Sequence, residues 1–598
     1  MACVQRFQRL PSPLLETVVR TSYSAGPLVH LAVQRTRSFA TADLSALDAS
    51  KGNRERIIIL GSGWAGYILS RKLSAKKFQT LVISPRSHFV FTPLLNSTAV
   101  GTLEFRTATE PVRSRHKPNV EFMEGRADDV DLSRKMVTVK ESVVDSAQGL
   151  AVVEAPYDYE SAGEARPERR LKKREGKRWE VAYDKLIVSV GSCSQTFGTK
   201  GIKEHAFFMK NISDAKKVRK RVLECFEIAA LPTTSDQFRR QLLNFAVVGG
   251  GPTGMEFAAE LSDLVSEDMT RLYPTLAPKV RITVYDVAPR ILSMFDQKLR
   301  EYAMQTFKRK GVDVRTSQDI QQLRSGLPRI GAGENADEVA DSQGCCILTT
   351  KEDGDVGIGM CVWSTGNMMN TFVQGLLKKS HGFPSASAEV IDNTGQIAEN
   401  VEWMIEKNKK TGAIVVDDHL RVQLQAGGQQ AEGDKDSSEP SFRALMTDVF
   451  ALGDNASIRD YPLPATAQTA SQQALWLGKH LNNDSTALEA FRFKNLGIMA
   501  YVGGSKGLLQ TGNGKGVQGY LAWLIWRGAY LTKSVSWRNK MLIPTYWWVA
   551  LMQRASSADD EKQVSELGLW ERYHKILNGQ CLPITFLPLD STTHRPYR

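Results

Sequence analysis

Arg56–Leu60 (RIIIL) runs directly into Gly61-Ser62-Gly63-Trp64-Ala65-Gly66, and Tyr67–Leu73 then carries apolar residues at helical spacing. The order is strand, turn, helix. In such a unit the first glycine makes the tight turn, the second lets backbone approach a pyrophosphate, and the third lets the helix pack on the strand. The order recurs where Phe245–Val248 enters Gly249-Gly250-Gly251-Pro252-Thr253-Gly254, followed by Met255–Leu264. One such turn is weak evidence; two in one chain, each correctly flanked, predict an α/β protein with two Rossmann-like dinucleotide-binding domains. FAD with NAD(P)H is the pair of dinucleotides that makes redox sense on such a frame.

The ends of the second strands divide the two cofactors. Arg281–Tyr285 (RITVY) stops at Asp286, an acid suited to hold a ribose 2′-hydroxyl and to repel a 2′-phosphate, which predicts NADH. Thr80–Ile83 ends instead at Ser84, a hydroxyl where FAD folds usually carry an acid. Of the seven cysteines none lies between Cys3 and Cys193, so a redox dithiol on the helix after the first turn is excluded. There is no CxxC pair, no His cluster at ligand spacing and no EF-hand loop, so no metal is expected, and Asp353 and Asp355 read as an acidic turn. Electrons from a flavin must then leave for a diffusible or membrane acceptor.

At 598 residues the chain needs two or three domains, and 42% hydrophobic with 24% charged residues is an ordinary globular composition. The net charge of +12 favours an anionic partner. Residues 1–42 hold five arginines against one acid, Glu16, with many Ser and Thr, the pattern of a mitochondrial presequence, and Arg37-Ser38-Phe39 suggests cleavage near Ala40. Glu160–Arg178 and Gln425–Ser441 read as solvated insertions. No stretch reaches the roughly 18 apolar residues of a spanning helix. Between Lys515 and Arg554, however, six basic residues and no acid accompany five of the eleven tryptophans, a mixture suited to lying on an anionic membrane surface. A dimer interface built from the same aromatics is compatible with that reading.

Taken together, GSGWAG at 61–66, SPRSHFVFTPLL at 84–95, VGGGPTGMEFAAEL at 248–261, VWSTGN at 362–367, VFALGDNA at 449–456, ATAQTASQQ at 465–473 and GIMAYVGG at 497–504 resemble the type II (alternative) NADH:ubiquinone oxidoreductases, in particular those of fungal mitochondria. The resemblance runs from about Arg54 to the C-terminus. It implies FAD and NADH as cofactors, ubiquinone as acceptor, no proton pumping, and a peripheral protein of the mitochondrial inner membrane, expected on the matrix side and as a homodimer, with no nucleic-acid partner.

Residue by residue, the resemblance implies an FAD site from Gly61 to Gly66 with Ser84, Pro85, Arg86, Ala127, Gly191, Gly453 and Asp454, the last on the ribityl chain. It implies an NADH site of Gly249, Gly251, Pro252, Thr253, Gly254 and Asp286, with Thr365 and Gly366 in the second of two crossover turns. Gln468, Ser471 and Gln472, on one helical face, would line the quinone site. Glu256 would sit where nicotinamide meets flavin, with Gln468 the second candidate catalytic residue; the other reading of Glu256 is a first-turn acid that serves the helix dipole, which favours its ionised form. The expected domains are a presequence and linker (1–53), an FAD domain in two parts (54–215 and 376–490) split by an NADH domain (216–375), and a C-terminal membrane-binding extension (491–598). Two alternatives stay open: the same fold with another acceptor, as in sulfide:quinone or ferredoxin reductases, for which Cys193 and Cys361 adjoin the crossover turns, and a nucleotide-dependent redox-sensing interaction protein.

Overall fold

The computed structural model describes residues 44–113, 120–145, 150–151, 176–326, 344–391, 402–426, 442–483, 489–534 and 536–559. The presequence, nearly all of both charged insertions, Cys3 and Cys581 lie outside the described residues.

Glu55–Leu60 is the centre of the first sheet. It pairs in parallel with Lys185–Val188 on one side and Phe78–Ser84 on the other, so that Ile58 lies between Leu186 and Leu81. Val120–Asp131 joins beyond Phe78–Ser84, and Arg443–Ala451 beyond Lys185–Val188, both in parallel. Ile57 through Leu60 are fully buried, which is why this strand is a continuous β-branched run rather than an alternating one. The second sheet, in spatial order Phe207–Phe208, Met360–Trp363, Asn244–Val248, Arg281–Tyr285 and Val312–Arg315, is parallel throughout. The first domain is therefore split by the second. The two chain crossings meet: Ser192–Ser194 pairs antiparallel with Asn367–Met369.

The expected boundaries at 216 and 375 need correction, because each cuts a helix, Ile212–Ala230 and Thr371–Leu376. The second domain begins by Phe207, whose strand belongs to its sheet, and the long helix starts at a capping box in which Asn211 and Asp214 bond each other's backbone. That Asn-x-x-Asp signature was present in the sequence as a helix start.

The C-terminal part is more than an appended docking element. Ile498–Gly503, Lys506–Gln510 and Gly516–Gly519 form an antiparallel sheet that packs on the second dinucleotide helix, Pro252–Leu264, and the helix Tyr520–Lys533 packs in turn on that sheet. Tyr501, Val502, Leu508, Trp523 and Trp526 are buried in the main core. Removal of residues from Lys515 onward would therefore open the core, at about 3 kcal/mol or more for each tryptophan lost.

Candidate active site

The two Gly-rich turns are built alike. Gly61 N–H donates to the Ile83 carbonyl and Gly249 N–H to that of Tyr285, each at 2.8 Å. Ser189 and Ser364, at the ends of the returning strands, donate their hydroxyls to the carbonyls of Leu60 and Val248. Gly61 and Gly249 have φ of +107° and +118°, where a side chain is strained. A Cβ on Gly66 would overlap the Gly61 carbonyl and one on Gly254 that of Gly249, so helix and turn touch only because both are glycines. The middle glycines, Gly63 and Gly251, have nothing within 4 Å of where a Cβ would stand. Each turn thus leaves an open backbone concavity at a helix N-terminus, which fits a pyrophosphate.

A cleft of about 720 Å³ runs along the first turn. Gly61–Ala65, Ser84, Pro85, Arg86 and Ala127 line it, as do Gly191, Gly366, Gly453, Asp454, Ala467 and Ala470. Thr253 and Trp363 from the second domain also reach it. Thr365 lies beside Gly249, where a Cβ would meet it at 3.1 Å. Ser84 does not stand alone in place of the usual acid: its hydroxyl lies 2.9 Å from that of Ser62, the second residue of the turn. In the second unit the equivalent bond runs to a carboxyl, with Asp286 accepting from Gly250 N–H and, at 2.7 Å, from Ala288 N–H. The Ser62–Ser84 pair and the Gly250–Asp286 pair are two solutions to the same contact.

Sequence reasoning named Asp454 but missed Ser192, whose hydroxyl it accepts from at 3.0 Å, and the buried residues that hold the cleft lining from behind. Asn455 accepts from Gly191 N–H and donates to the Val188 carbonyl, and Gln473 accepts from Gly453 N–H at 2.8 Å. Gln473 belongs to the QQ pair that ends ATAQTASQQ, but its inward face was not used. Lys210 donates to Asn367 at 2.6 Å and lines the cleft with Arg86. Burial lowers the proton affinity of both cations, and the neighbouring Asp214 and Cys193 partly restore it.

The helix Ala467–Asn482 places Gln468 and Gln472 as a clasp. Gln468 accepts from Leu496 N–H and donates to the Gly497 carbonyl, and Gln472 accepts from and donates to Lys494. Ser471 donates to Ala467 one turn back. The two amides fix the chain that enters the strand Ile498–Gly503. From the same helix it is Ala467 and Ala470 that line the cleft.

Glu256 is enclosed by Asn96, Trp526, Tyr530 and the backbone of Tyr501, whose N–H donates to it at 3.0 Å. The expectation that the helix N-terminus keeps it ionised is overturned. Burial, with Glu260 a turn away, pushes its carboxyl up to about 8, because desolvation of the charge outweighs the dipole and the hydrogen bonds it receives. Cys193 lines the cleft, whereas Cys361 is buried in the second sheet among Ala246, Leu323 and Leu348 with its thiol pushed up by burial. Cys193 is the one cysteine among the described residues that lines the cleft, and the dithiol that sulfide oxidation requires is not assembled there. Asp353 and Asp355 are paired with Arg315 and Arg324.

The Asp286 geometry makes a direct expectation. Asp286→Ser should narrow the preference for NADH over NADPH, since the carboxylate no longer repels a 2′-phosphate and the exposed Arg290 is close in sequence to receive one. It should also raise KM for NADH, because Gly250 N–H loses a charge-assisted partner worth roughly 1.5–3 kcal/mol. An unchanged ratio of kcat/KM for the two nucleotides would show that Asp286 does not read the ribose.

Residues 55–402 match the family model described as pyridine nucleotide-disulphide oxidoreductase, and residues 495–554 match the NDH2 C-terminal domain. A probable NADH dehydrogenase of Dictyostelium discoideum is 34% identical, with 83% of this chain and 90% of that protein aligned. The external alternative NAD(P)H-ubiquinone oxidoreductase B2 of Arabidopsis thaliana mitochondria is 29% identical over 90% of this chain and 96% of its own. Among solved structures, NDH2 of Plasmodium falciparum in complex with NADH superposes with a TM-score of 0.61 at 20% identity, covering 82% of this chain and 97% of that one. With its two Gly-rich units, its crossed strands and a C-terminal sheet closing over the second of them, the chain belongs to the pyridine nucleotide-disulphide oxidoreductases, as a type II NADH dehydrogenase.

Proposed function

We propose that this protein oxidises NADH and reduces ubiquinone without pumping protons, as a peripheral enzyme of the mitochondrial inner membrane. The observation that carries this is the one cleft lined together by the first Gly-rich turn, by Thr253 and Trp363 of the second unit, and by Ala467 and Ala470 of the helix that carries Gln468 and Gln472. When bound, FAD supplies reversible two-electron chemistry between nicotinamide and quinone. The chain's own residues bind and orient. The first turn and Arg86 take the FAD pyrophosphate, Asp454 is suited to its ribityl hydroxyls, and the second turn with Asp286 holds NADH. Thr253 stands where the second helix reaches the cleft, with Glu256 one turn further along, and Ala467 and Ala470 supply a smooth wall for a flat ring. The test is stopped-flow absorption of the purified holoenzyme: NADH should bleach the flavin and a short-tail ubiquinone should restore it. Gln468→Ala with Ser471→Ala should raise KM for quinone several-fold and leave the rate of bleaching by NADH near wild type. Slower bleaching with unchanged quinone kinetics would move this helix to the nicotinamide side.

The membrane-facing surface consists of Tyr520, Leu521, Leu524 and Ile525 on one helix and Trp537, Met541, Trp548 and Val549 on the next, all exposed. Trp523, Trp526, Ile543 and Trp547 face the core from the same two helices. Among the described residues no helix is long and apolar enough to cross a membrane. The outer apolar rows support lying in the headgroup zone of an anionic membrane. Not all six basic residues between Lys515 and Arg554 are turned to that surface, because Arg527 stacks over Trp523 and Trp547, and Arg538 turns to the carbonyls of Arg106 and Thr109. Leu521→Glu with Met541→Glu should abolish co-sedimentation with anionic vesicles and retain turnover of a water-soluble quinone, whereas high salt should weaken binding of the wild type only in part. Undiminished vesicle binding by the double variant would refute this surface. A homodimer through part of the same face and a location on the matrix side complete the proposal, and the Arg-rich residues 1–42 support import into mitochondria. Sedimentation velocity and protease protection in mitoplasts test them.

A further inference from the structure

Beyond the two helices that carry the membrane-facing rows, the two most exposed large apolar side chains among the described residues are Val287, at 72%, and Phe197, at 61%. Val287 follows Asp286 directly, beside the second Gly-rich turn. Phe197 comes just after Ser192–Ser194, the first of the two crossing strands. Both therefore belong to the surroundings of the second dinucleotide unit, and Phe197 is held there at a cost.

Residues 196–199 form a tight turn, closed by Thr199 N–H on the Thr196 carbonyl at 2.9 Å. Its two central residues, Phe197 and Gly198, have left-handed φ of +53° and +76°. Asn and Gly suit such a turn, whereas a bulky side chain there is strained, and an exposed one gains little burial in return. The neighbouring chain enforces the conformation. Before the turn, Gln195 N–H donates to the Gly366 carbonyl at 3.2 Å and the Gln195 carbonyl accepts from Trp363 Nε1 at 2.9 Å; after it, the Lys200 carbonyl accepts from Leu323 N–H at 2.9 Å. Both ends are thus tied to the second domain. The result is that the Phe197 ring rests on Gly366, where a Cβ would meet its Cε2 and Cζ at 2.7 Å. Gly366 lines the cleft beside Thr253, Trp363 and Ser364 of the second unit, and Thr365, one residue before it, lies beside Gly249. The ring therefore stands where the second unit meets the flavin cleft.

We propose that Phe197 is a binding residue for the nicotinamide half of NADH, its exposed ring and the bare backbone of Gly366 together forming the surface that holds that half at the flavin cleft. The proposal rests on the assignment of NADH made above. The nucleotide has two halves, and the page separates them. Asp286 is placed to read the ribose of the adenosine half, so the half that reaches the cleft lined by Gly366 and Thr253 is the nicotinamide with its ribose. Contact with that half buries an aromatic face, which offsets both the strained backbone and the exposure of the ring. It also accounts for glycine at 366, since any side chain there would push the ring away. Phe197 exchanges no proton or electron; its contribution is to binding and alignment.

The experiment is calorimetric titration of the oxidised holoenzyme with NAD⁺ and with ADP-ribose, which lacks the nicotinamide, for wild type, Phe197→Asn and Phe197→Tyr. Phe197→Asn should weaken NAD⁺ about tenfold and leave ADP-ribose within about twofold of wild type, because only the contact with the nicotinamide half is lost. Its melting temperature should equal or exceed that of wild type, since asparagine suits the left-handed turn; an aromatic kept only for packing would lower it on removal. Phe197→Tyr keeps the ring and should bind both ligands as wild type does. In stopped flow, Phe197→Asn should need about tenfold more NADH for half-maximal bleaching, with reoxidation by a short-tail ubiquinone unchanged. Wild-type affinity for NAD⁺ in Phe197→Asn would overturn the proposal. So would an equal loss for ADP-ribose, which would place the effect in the shared half or in the fold, and so would a Phe197→Asn protein that fails to fold, which would make the ring structural. If the wild type neither binds NAD⁺ nor is bleached by NADH, the assignment of NADH fails; if it does both and the variant matches it, the role of Phe197 alone fails.

Discussion

Glu256→Gln is expected to cut quinone-dependent turnover roughly a hundred-fold or more, the loss expected where a candidate catalytic carboxyl that holds a proton near neutral pH can no longer give it up, while making the folded protein more stable near neutral pH. The two effects have one origin. In the fold Glu256 holds its proton up to about 8, whereas in the unfolded chain it releases it near the ordinary 4.5. The folded state therefore binds more protons between those values, and by linkage its stability is fully present below about 4.5 and falls as pH rises through about 8. Glutamine never bears the charge and escapes that loss. Thermal unfolding at pH 6 and pH 8 beside steady-state turnover checks both halves. A variant that loses activity and stability together at pH 8 would show that Glu256 is held as a structural ion and that the acid reading is wrong.

The second large effect is expected from Gly66→Val. A Cβ there overlaps the Gly61 carbonyl and comes within 2.9 Å of the Ser189 hydroxyl and 3.0 Å of Ile59. The helix must then lift from the turn, and overpacking of this kind costs about 1–3 kcal/mol, all of it at the phosphate cradle. That is a loss of roughly five- to a hundred-fold in FAD affinity, so the purified variant should be largely colourless. The ratio of flavin absorbance to protein absorbance measures it. Full flavin content with an unchanged second turn would mean that the cofactor does not rest on this glycine contact.

The parts of the protein that are local in sequence were legible there. Each strand, Gly-rich turn and helix is specified within about fifteen residues, and Asp286 follows its strand directly. Gln468 and Gln472 were legible as one face of a helix, but what they hold, Lys494 to Gly497, depends on the path the chain takes back to them. The reversal at Glu256 was invisible for a related reason. A dipole acts from the helix itself, whereas the desolvation that overrides it comes from Tyr501, 245 residues away, and from the helix that carries Trp526. Glu260 and Asp263 could have been noticed at i+4 and i+7 from Glu256, since acids at those positions amid FAAEL spacing must be buried with it. The hydroxyl partners of Glu260, Ser97 and Thr102, lie 163 and 158 residues from it, and that of Asp263, Tyr501, lies 238 residues away, all beyond the reach of any local pattern. The domain boundaries went astray because the Asn211 capping box marks a helix start and nothing nearby marks a change of domain.

The most direct measurement is the visible absorption spectrum of the purified holoenzyme, taken first alone, then after NADH in the absence of oxygen, then after a short-tail ubiquinone. The account predicts an oxidised flavin spectrum, its bleaching by NADH, and its full return on addition of quinone with one NADH consumed per quinone reduced. Bleaching by NADH without recovery on quinone would contradict the assignment of the acceptor, and a spectrum with no flavin would contradict the site itself.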